Sequence, residues 1–530
     1  MATLALSLAG QFVGGFVGGP LGATVGRALG ALAGSAVDGL LFGEQREVTG
    51  SDIRLQGSSE GGAVPRLYGW SRLSGNIIWA RELELLGAEN AGAKGFGQEQ
   101  DADVVGASFA VAFCEGEVHR LGRIWADGQL LDPAGLTLRF YRGTEDQLAD
   151  GLIEATQGTA PAYRGLCYLV VEQLPLTRFG NRVPHLSVEL CRVVGDLEPN
   201  ITAVTVIPGA TEFGYDPVPR VRLLGPGQTV GENSHVAASL SDWTVSIDEL
   251  QALSPNLRHV ALVVAWFGDD LRCGHCTIGP RVEAADRAVE GVEWSVMGLG
   301  RGAVPVVTSH AGGAAYGGTP SDGAVLAAIA DLKARGLKVT LYPMVMMDIP
   351  TGNGRPDPYG AAEQAAYPWR GRITCHPAAG QPGSPDQSAA ATAQVAAFAA
   401  QYRPMVLHYA ALAAAAGGVE MLVIGSEMRG LTAIRGPAHS FPFVAALVAL
   451  AAEVRALVGP ATKLTYAADW SEYGGHQTGA GEKFFHLDPL WASPDIDAVG
   501  IDNYMPWPIG AMATAISMLL CRRTATTSTT

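Results

Sequence analysis

From His259 onward the sequence alternates short, continuously apolar runs with longer stretches rich in alanine, and few patterns restrict a fold more tightly. The runs are HVALVVAWF (259 to 267), VPVVTSH (304 to 310), KVTLYPMVMMDI (338 to 349), VEMLVIGSEM (419 to 428), KLTYAADWSEY (463 to 473) and AVGIDNYM (498 to 505). A strand that is apolar at every position is buried on both faces, as parallel strands covered by helices are. Helices are predicted between several of these runs, at SDGAVLAAIADLKARG (321 to 336), from Ala389 to Ala416, and at FVAALVALAAEVRAL (443 to 457). Repeated β-α units predict a parallel sheet, and polar residues gathered where the strands end favour a TIM barrel over a doubly wound sheet.

The active site of a TIM barrel lies at the C-terminal ends of its strands. On this reading strand one ends in Trp266, Phe267, Gly268, Asp269 and Asp270, strand two in Ser309 and His310, and strand three in Asp348. Strand four ends in Gly425, Ser426 and Glu427, strand five in Asp469, Trp470, Ser471, Glu472 and Tyr473, and strand six in Asp502, Asn503 and Tyr504. Carboxylates interleaved with Trp and Tyr suit a sugar, because aromatic faces stack on pyranose rings while carboxylates hold hydroxyls or act as acid and base. The candidate substrate-binding residues are therefore Trp266, Asp269, His310, Asp469, Trp470, Asp502, Asn503 and Tyr504.

A chain of 530 residues implies about three domains. Residues 1 to 45 carry glycines at 14, 18, 22, 26, 30 and 34, a four-residue period that lays a smooth stripe along a helix, with Pro20 splitting the run in two. The stripe is read either as a close helix-packing face in an oligomeric stalk or as a segment that enters a membrane during delivery. Residues 46 to 200 break into short alternating runs separated by Gly, Pro and Asp turns, a β-rich pattern. A Pro- and Gly-rich stretch from 201 to 256 is expected to be a connector, and residues 257 to 508 form the barrel-like domain.

A net charge of -15 supplies no footprint for specific nucleic-acid binding. Seven thinly spread cysteines are unlike a disulfide framework and point to a reducing site of synthesis. The apolar N-terminus has no Lys or Arg before Arg27, so it lacks the basic start of a signal peptide. The expectation is a protein made in the cytoplasm and carried out within a particle.

Three blocks of the β-rich region, VPRLYGWSRLSGNIIWA (64 to 80), FCEGEVHRLGRIWADGQLL (113 to 131) and AYRGLCYLVVEQLPLTRFGNRVPHLSVEL (162 to 190), resemble the hub module of tailed-phage tail-tip proteins. The resemblance implies a homo-oligomeric ring that continues the tail tube, with other tail and baseplate proteins as partners. Trp70, Trp79 and Trp125 then belong to the core or the ring interface. Residues 257 to 507 resemble the glycoside-hydrolase-like TIM barrel of gene transfer agent baseplate proteins, most clearly in VAWFGDDLRCGHC, VIGSEMRGLT, YAADWSEYGGH and HLDPLWASPDIDAVGIDNYMPW. More distantly, a Glu after the fourth strand resembles the acid/base position of the large TIM-barrel glycosidase clan, which puts Glu427 there. That clan takes its nucleophile from a seventh strand, whereas the sequence shows six apolar runs and then a Thr-rich tail from 509 to 530. The expectation is an incomplete barrel of about six of the eight β-α units, with Glu427 a working acid, a sugar-binding residue or plain polarity at the barrel mouth.

The implied role is a structural tail-tip protein facing envelope glycan, and the alternative is a hydrolase of that glycan. Cys273 and Cys276 have the spacing of a redox pair without its surrounding fold, and Cys375 with His376 is not the spaced second half of a zinc site. GGAAYGGTPSDG (312 to 323) lacks the Lys-Ser/Thr ending of a phosphate loop. Neither metal nor cofactor is expected.

Overall fold

A computed structural model describes residues 61–88, 103–207, 212–236, 240–478 and 481–504. The glycine-periodic segment 1–45 and the tail 509–530 lie outside the described residues. The chain divides into two compact units, Met1–Arg192 and Val193–Thr530.

The first unit is antiparallel. Its strands are β1 (Gly69–Ser74), β2 (Asn76–Ala80), β3 (Glu84–Ala88), β4 (Asp103–Glu115), β5 (Arg120–Ala126), β6 (Gln129–Leu130), β7 (Thr137–Tyr141), β8 (Leu166–Pro175) and β9 (Leu186–Arg192). One sheet runs β1-β9-β5-β6; the other runs β2-β4-β8-β7, with β3 also on β4. Alternation along β4 and β8 feeds two cores, because successive side chains leave opposite faces of a strand. Phe109, Val111 and Phe113 join Leu169 and Val171 and pack with Leu186, Val188 and Leu190 of β9. Ala110, Ala112, Tyr168 and Val170 face the other way, against Trp79 and Ile153. Ile153 sits on α1 (Gly151–Gln157), which starts at Asp150, whose carboxylate accepts from the backbone N–H groups of Leu152 and Ile153. Trp125 lies beneath the Arg72 guanidinium at 4.0 Å.

Among the described residues of the second unit six parallel strands pair in sequence order: β10 (Ala203–Val206), β11 (His259–Gly268), β12 (Lys338–Met347), β13 (Met421–Ser426), β14 (Lys463–Asp469) and β15 (Gly500–Asp502). Six is the expected number, but the membership differs. The segment read as a connector supplies β10, which pairs in parallel with β11. The run 304 to 310 is not a strand of this sheet, because β11 and β12 pair directly across ten consecutive positions and leave no gap for it. Pro305, which has no N–H to give a ladder, starts a largely exposed stretch there; Val306 makes a single parallel bridge to Val282, and Ser309 and His310 pair, antiparallel, with Gly313 and Ala314.

The sheet is covered by α2 (Asp242–Leu253), α3 (Asp322–Ala334), α4 (Ala389–Ala415) and α5 (Pro442–Val458). Ser241, Ser321 and Ser388 cap the first three through their hydroxyls, and proline takes the first position of α5. Strand parity sorts the two faces. Val260, Leu262, Val264 and Trp266 of β11 face the helices, whereas Val263, Tyr342, Val423 and Ala467 gather on the inner face. Among the described residues no helix is long and apolar enough to cross a membrane.

Candidate functional site

The middle of β12 and the C-terminal ends of β13 and β15 converge on one group of side chains. A register shift in β13 between Val423 and Ser426 turns the strand as it ends. Gly425 fits that turn closely, because a Cβ there would stand 3.0 Å from the Tyr402 hydroxyl and from the Tyr466 ring and press on both. Glu427 follows in the left-handed region at φ 51°, an uncommon state for a side chain of its size, held by its N–H donating to the Ala467 carbonyl at 2.8 Å.

Glu427 is 5% exposed. Its Oε2 accepts from the Trp369 indole N–H at 2.7 Å and lies 2.9 Å from Nη2 of Arg370. The same guanidinium donates to the Ser426 carbonyl at 2.9 Å and to Ser426 Oγ at 2.7 Å. From β12, the Tyr342 hydroxyl donates to Asp502 Oδ2 at 2.6 Å and also meets Ser426 Oγ at 2.6 Å. The carboxyl groups of Glu427 and Asp502 themselves come within hydrogen-bonding reach. Burial raises the pKa of Glu427, and the neighbouring Asp502 raises it further, against the opposing pull of Arg370 and Trp369. Tyr504, 71% exposed, feels the charges of Glu427, Asp502, Arg370 and Asp469, and its pKa is raised, chiefly by desolvation.

Of the residues singled out in the sequence, Glu427, Asp502 and Tyr504 come together. Asp469 ends β14 as expected, but its carboxylate accepts from the N–H and hydroxyl of Ser471 and starts α6 (Trp470–Tyr473), a turn that holds Trp470 39% exposed. Asn503 is exposed beside Asp502. Trp266 is a correction: it is 2% exposed and packs against His408 and Tyr409 of α4, because it shares the parity of Val264 and therefore faces the helices. Asp269 closes a turn by accepting from the Thr277 N–H at 2.8 Å. His310 lies outside the parallel sheet with its ring edge-on to Tyr367 at 5.4 Å. Asp348 is saturated by Arg281 at 2.7 Å and by the N–H and hydroxyl of Thr308.

Sequence reasoning missed Tyr342, Trp369 and Arg370. Tyr342 was findable, since it is the polar-tipped residue in an apolar strand and shares the inward parity of Thr340 and Met344. Trp369 and Arg370 sit in the long aperiodic passage between β12 and α4, where no pattern marks them. Behind the cleft, buried Glu472 binds Thr432 Oγ1 at 2.6 Å, the Tyr466 hydroxyl at 3.1 Å and the Asp469 N–H at 2.8 Å. Burial pushes its pKa up to about 7. Cys273, Cys276 and Cys375 are buried, and among the described residues no group of His, Cys, Asp and Glu is placed to hold a metal ion.

A parallel β-α sheet with carboxyl groups and exposed aromatic side chains at its C-terminal edge defines the second unit as a TIM-barrel-like half-barrel. Within it, residues 400–511 match the family described as the GTA TIM-barrel-like domain, GTA standing for gene transfer agent. A chain in the structure titled "Virion of native gene transfer agent (GTA) particle" is similar at 38% identity over 34% of this chain and 44% of that chain, with a TM-score of 0.24. This chain thus spans less than half the length of that one. A GH113 β-mannanase from Alicyclobacillus acidocaldarius is similar at 19% identity over 50% of this chain and 55% of that chain, TM-score 0.27. Another GH113 β-1,4-mannanase is similar at 17% identity over 50% and 58%, TM-score 0.26. No curated protein matches the chain.

Proposed function

We propose that the protein is a structural component of the tail tip of a gene transfer agent particle, with a half-barrel that binds envelope glycan at the Glu427–Asp502 cleft. The observation that carries the reading is the match of residues 400–511 to the GTA TIM-barrel-like domain. The antiparallel first unit supports a module that closes into a ring with copies of itself and joins other tail proteins. Exposed Trp470 and Tyr504 offer ring faces for a sugar, while Asp502 and Glu427 offer hydroxyl acceptors.

Binding is favoured over hydrolysis by the contact between the two carboxyls. A retaining glycosidase needs its pair about 5 to 5.5 Å apart and an inverting one about 6.5 to 9.5 Å apart. The raised pKa of Glu427 and its place at a strand end favour the hydrolase reading, with Glu427 as general acid. Purified particles probed with an antibody to this chain test the assignment: signal confined to the tail tip is expected, and a chain absent from particles overturns it. Pull-down on insoluble peptidoglycan, with Trp470→Ala as the comparison, tests the glycan.

A further inference from the structure

Two buried thiols face each other in the first unit. Cys114 of β4 and Cys167 of β8 are directly opposed in the antiparallel ladder, and both are fully buried. Opposed residues in such a ladder have Cα atoms about 4.5 to 5.5 Å apart, inside the roughly 4.4 to 6.8 Å that a disulfide spans. Parity alone would send Cys114 to the face of Ala110 and Ala112. A register shift between Ala112 and Cys114 instead brings it into the core that holds Phe113 and Cys167. The two side chains therefore lie on one side of the sheet, next to each other in the same core.

From this juxtaposition we infer that Cys114 and Cys167 form a cross-strand disulfide when the protein passes from a reducing to an oxidising medium. The reaction is exchange with a low-molecular-weight disulfide such as oxidised glutathione. The Cys114 thiolate attacks one sulfur of the reagent, forming a mixed disulfide and expelling one thiolate. The Cys167 thiol then loses its proton and attacks the Cys114 sulfur, expelling the second. Two protein thiols are oxidised, and one small disulfide is reduced to two thiols. Cys114 is the attacking member because the neighbouring Cys167 lowers its pKa, while the same proximity and burial push Cys167 up. Access comes from the ladder's end: the next pair, Glu115 with Leu166, is the last of β4 and the first of β8, so a local opening of few hydrogen bonds uncovers the thiols.

The test uses the full chain, purified under reductant and then held with oxidised glutathione under native conditions. Remaining thiols are alkylated after denaturation, and peptides are mapped by mass spectrometry without reduction. Of the seven cysteines, two are expected to escape alkylation, in one linked pair of peptides carrying Cys114 and Cys167. Cys191→Ser, which leaves the pair intact, is expected to give the same linked peptides, and Cys114→Ser none of them. Seven alkylated cysteines, or a linkage that omits either Cys114 or Cys167, overturns the inference. A second readout is the thermal midpoint, expected to rise on oxidation of the wild type and to stay fixed in Cys114→Ser.

Discussion

The hydroxyl of Tyr342 donates to Asp502 Oδ2 at 2.6 Å, joining the third strand of the parallel sheet to the sixth across two intervening strands. Strands in a flat sheet stand about 4.8 Å apart, so third and sixth strands would be about 14 Å distant and out of reach of one side chain. The hydrogen bond therefore reports curvature: the sheet bends far enough for its inner face to become a cleft. Tyr342→Phe removes this bond and the one to Ser426 Oγ while keeping the ring. A buried hydrogen bond to a charged acceptor contributes about 1.5 to 3 kcal/mol. The variant is expected to lose stability in that range in denaturant titration, and an unchanged midpoint would mean the bond does not hold the curvature.

Trp266 and Trp470 separate packing from binding. Trp266 is buried against α4, so Trp266→Ala is expected to cost about 3 to 5 kcal/mol of stability through the cavity it leaves. Glycan retention by the fraction that stays folded should not change. Trp470→Ala removes a 39% exposed ring, so stability should hold within about 0.5 kcal/mol while retention on peptidoglycan drops several-fold. The reverse pattern would return Trp266 to the cleft.

How much of this could be read in advance depends on where periodicity operates. The three long helices and five of the six parallel strands announce themselves through runs of apolar residues, because burial on both faces leaves no other composition. β10 is four residues of mixed exposure, AVTV, and nothing in so short a run distinguishes an edge strand from a connector. VPVVTSH failed in the opposite direction: it is apolar enough for a strand, yet the slot beside β11 is already taken by β12. In the site, Glu427 and Asp502 were legible because they end strands. Trp266 was misplaced by reading strand ends without parity, and Trp369 and Arg370 were invisible because loop geometry alone brings them to Glu427.

The buried Glu472 sets a pH dependence. Its pKa rises from 4.5 to about 7 on folding, so its contribution to stability is fully present below about pH 4.5 and is lost as pH rises through about 7. His486, bonded at 3.3 Å to the same Thr432 hydroxyl, acts oppositely: its pKa falls from 6.5 to about 4, so its contribution is present above about 6.5 and lost as pH falls through about 4. In the wild type the two nearly offset between those limits. Glu472→Gln removes one partner. Relative to wild type the variant is expected to gain of the order of 2 to 3 kcal/mol between pH 4.5 and 7, whatever its constant offset. Parallel stability curves for the two proteins would show that Glu472 does not titrate with folding.

The last expectation is that the chain binds sugar without cleaving it. Glu427 has two attributes of a general acid, a raised pKa and a place at a strand end, and Asp502 is the carboxyl beside it. Acid catalysis at a glycosidic oxygen needs a carboxyl oxygen aimed at the substrate, but Oε2 of Glu427 is taken up by protein donors. Hydrolysis also needs room: a nucleophilic carboxylate must reach the far face of the anomeric carbon, or activate a water there, and groups in mutual contact enclose neither. The Glu427 carboxyl is further committed to Trp369 and Arg370, which fix its orientation. Sugar hydroxyls, in contrast, can donate to the free lone pairs of both groups without separating them. Incubation of the full chain with peptidoglycan and with a panel of oligosaccharides, mannans included, is expected to release no new reducing ends across pH 4 to 8, while retention on the same polymer is measurable. Glu427→Gln keeps the shape of the side chain and should weaken retention only a few-fold. Reducing ends that appear with the wild type and vanish with Glu427→Gln would mean that the two carboxyls part when substrate binds, and the binding-only reading would fall.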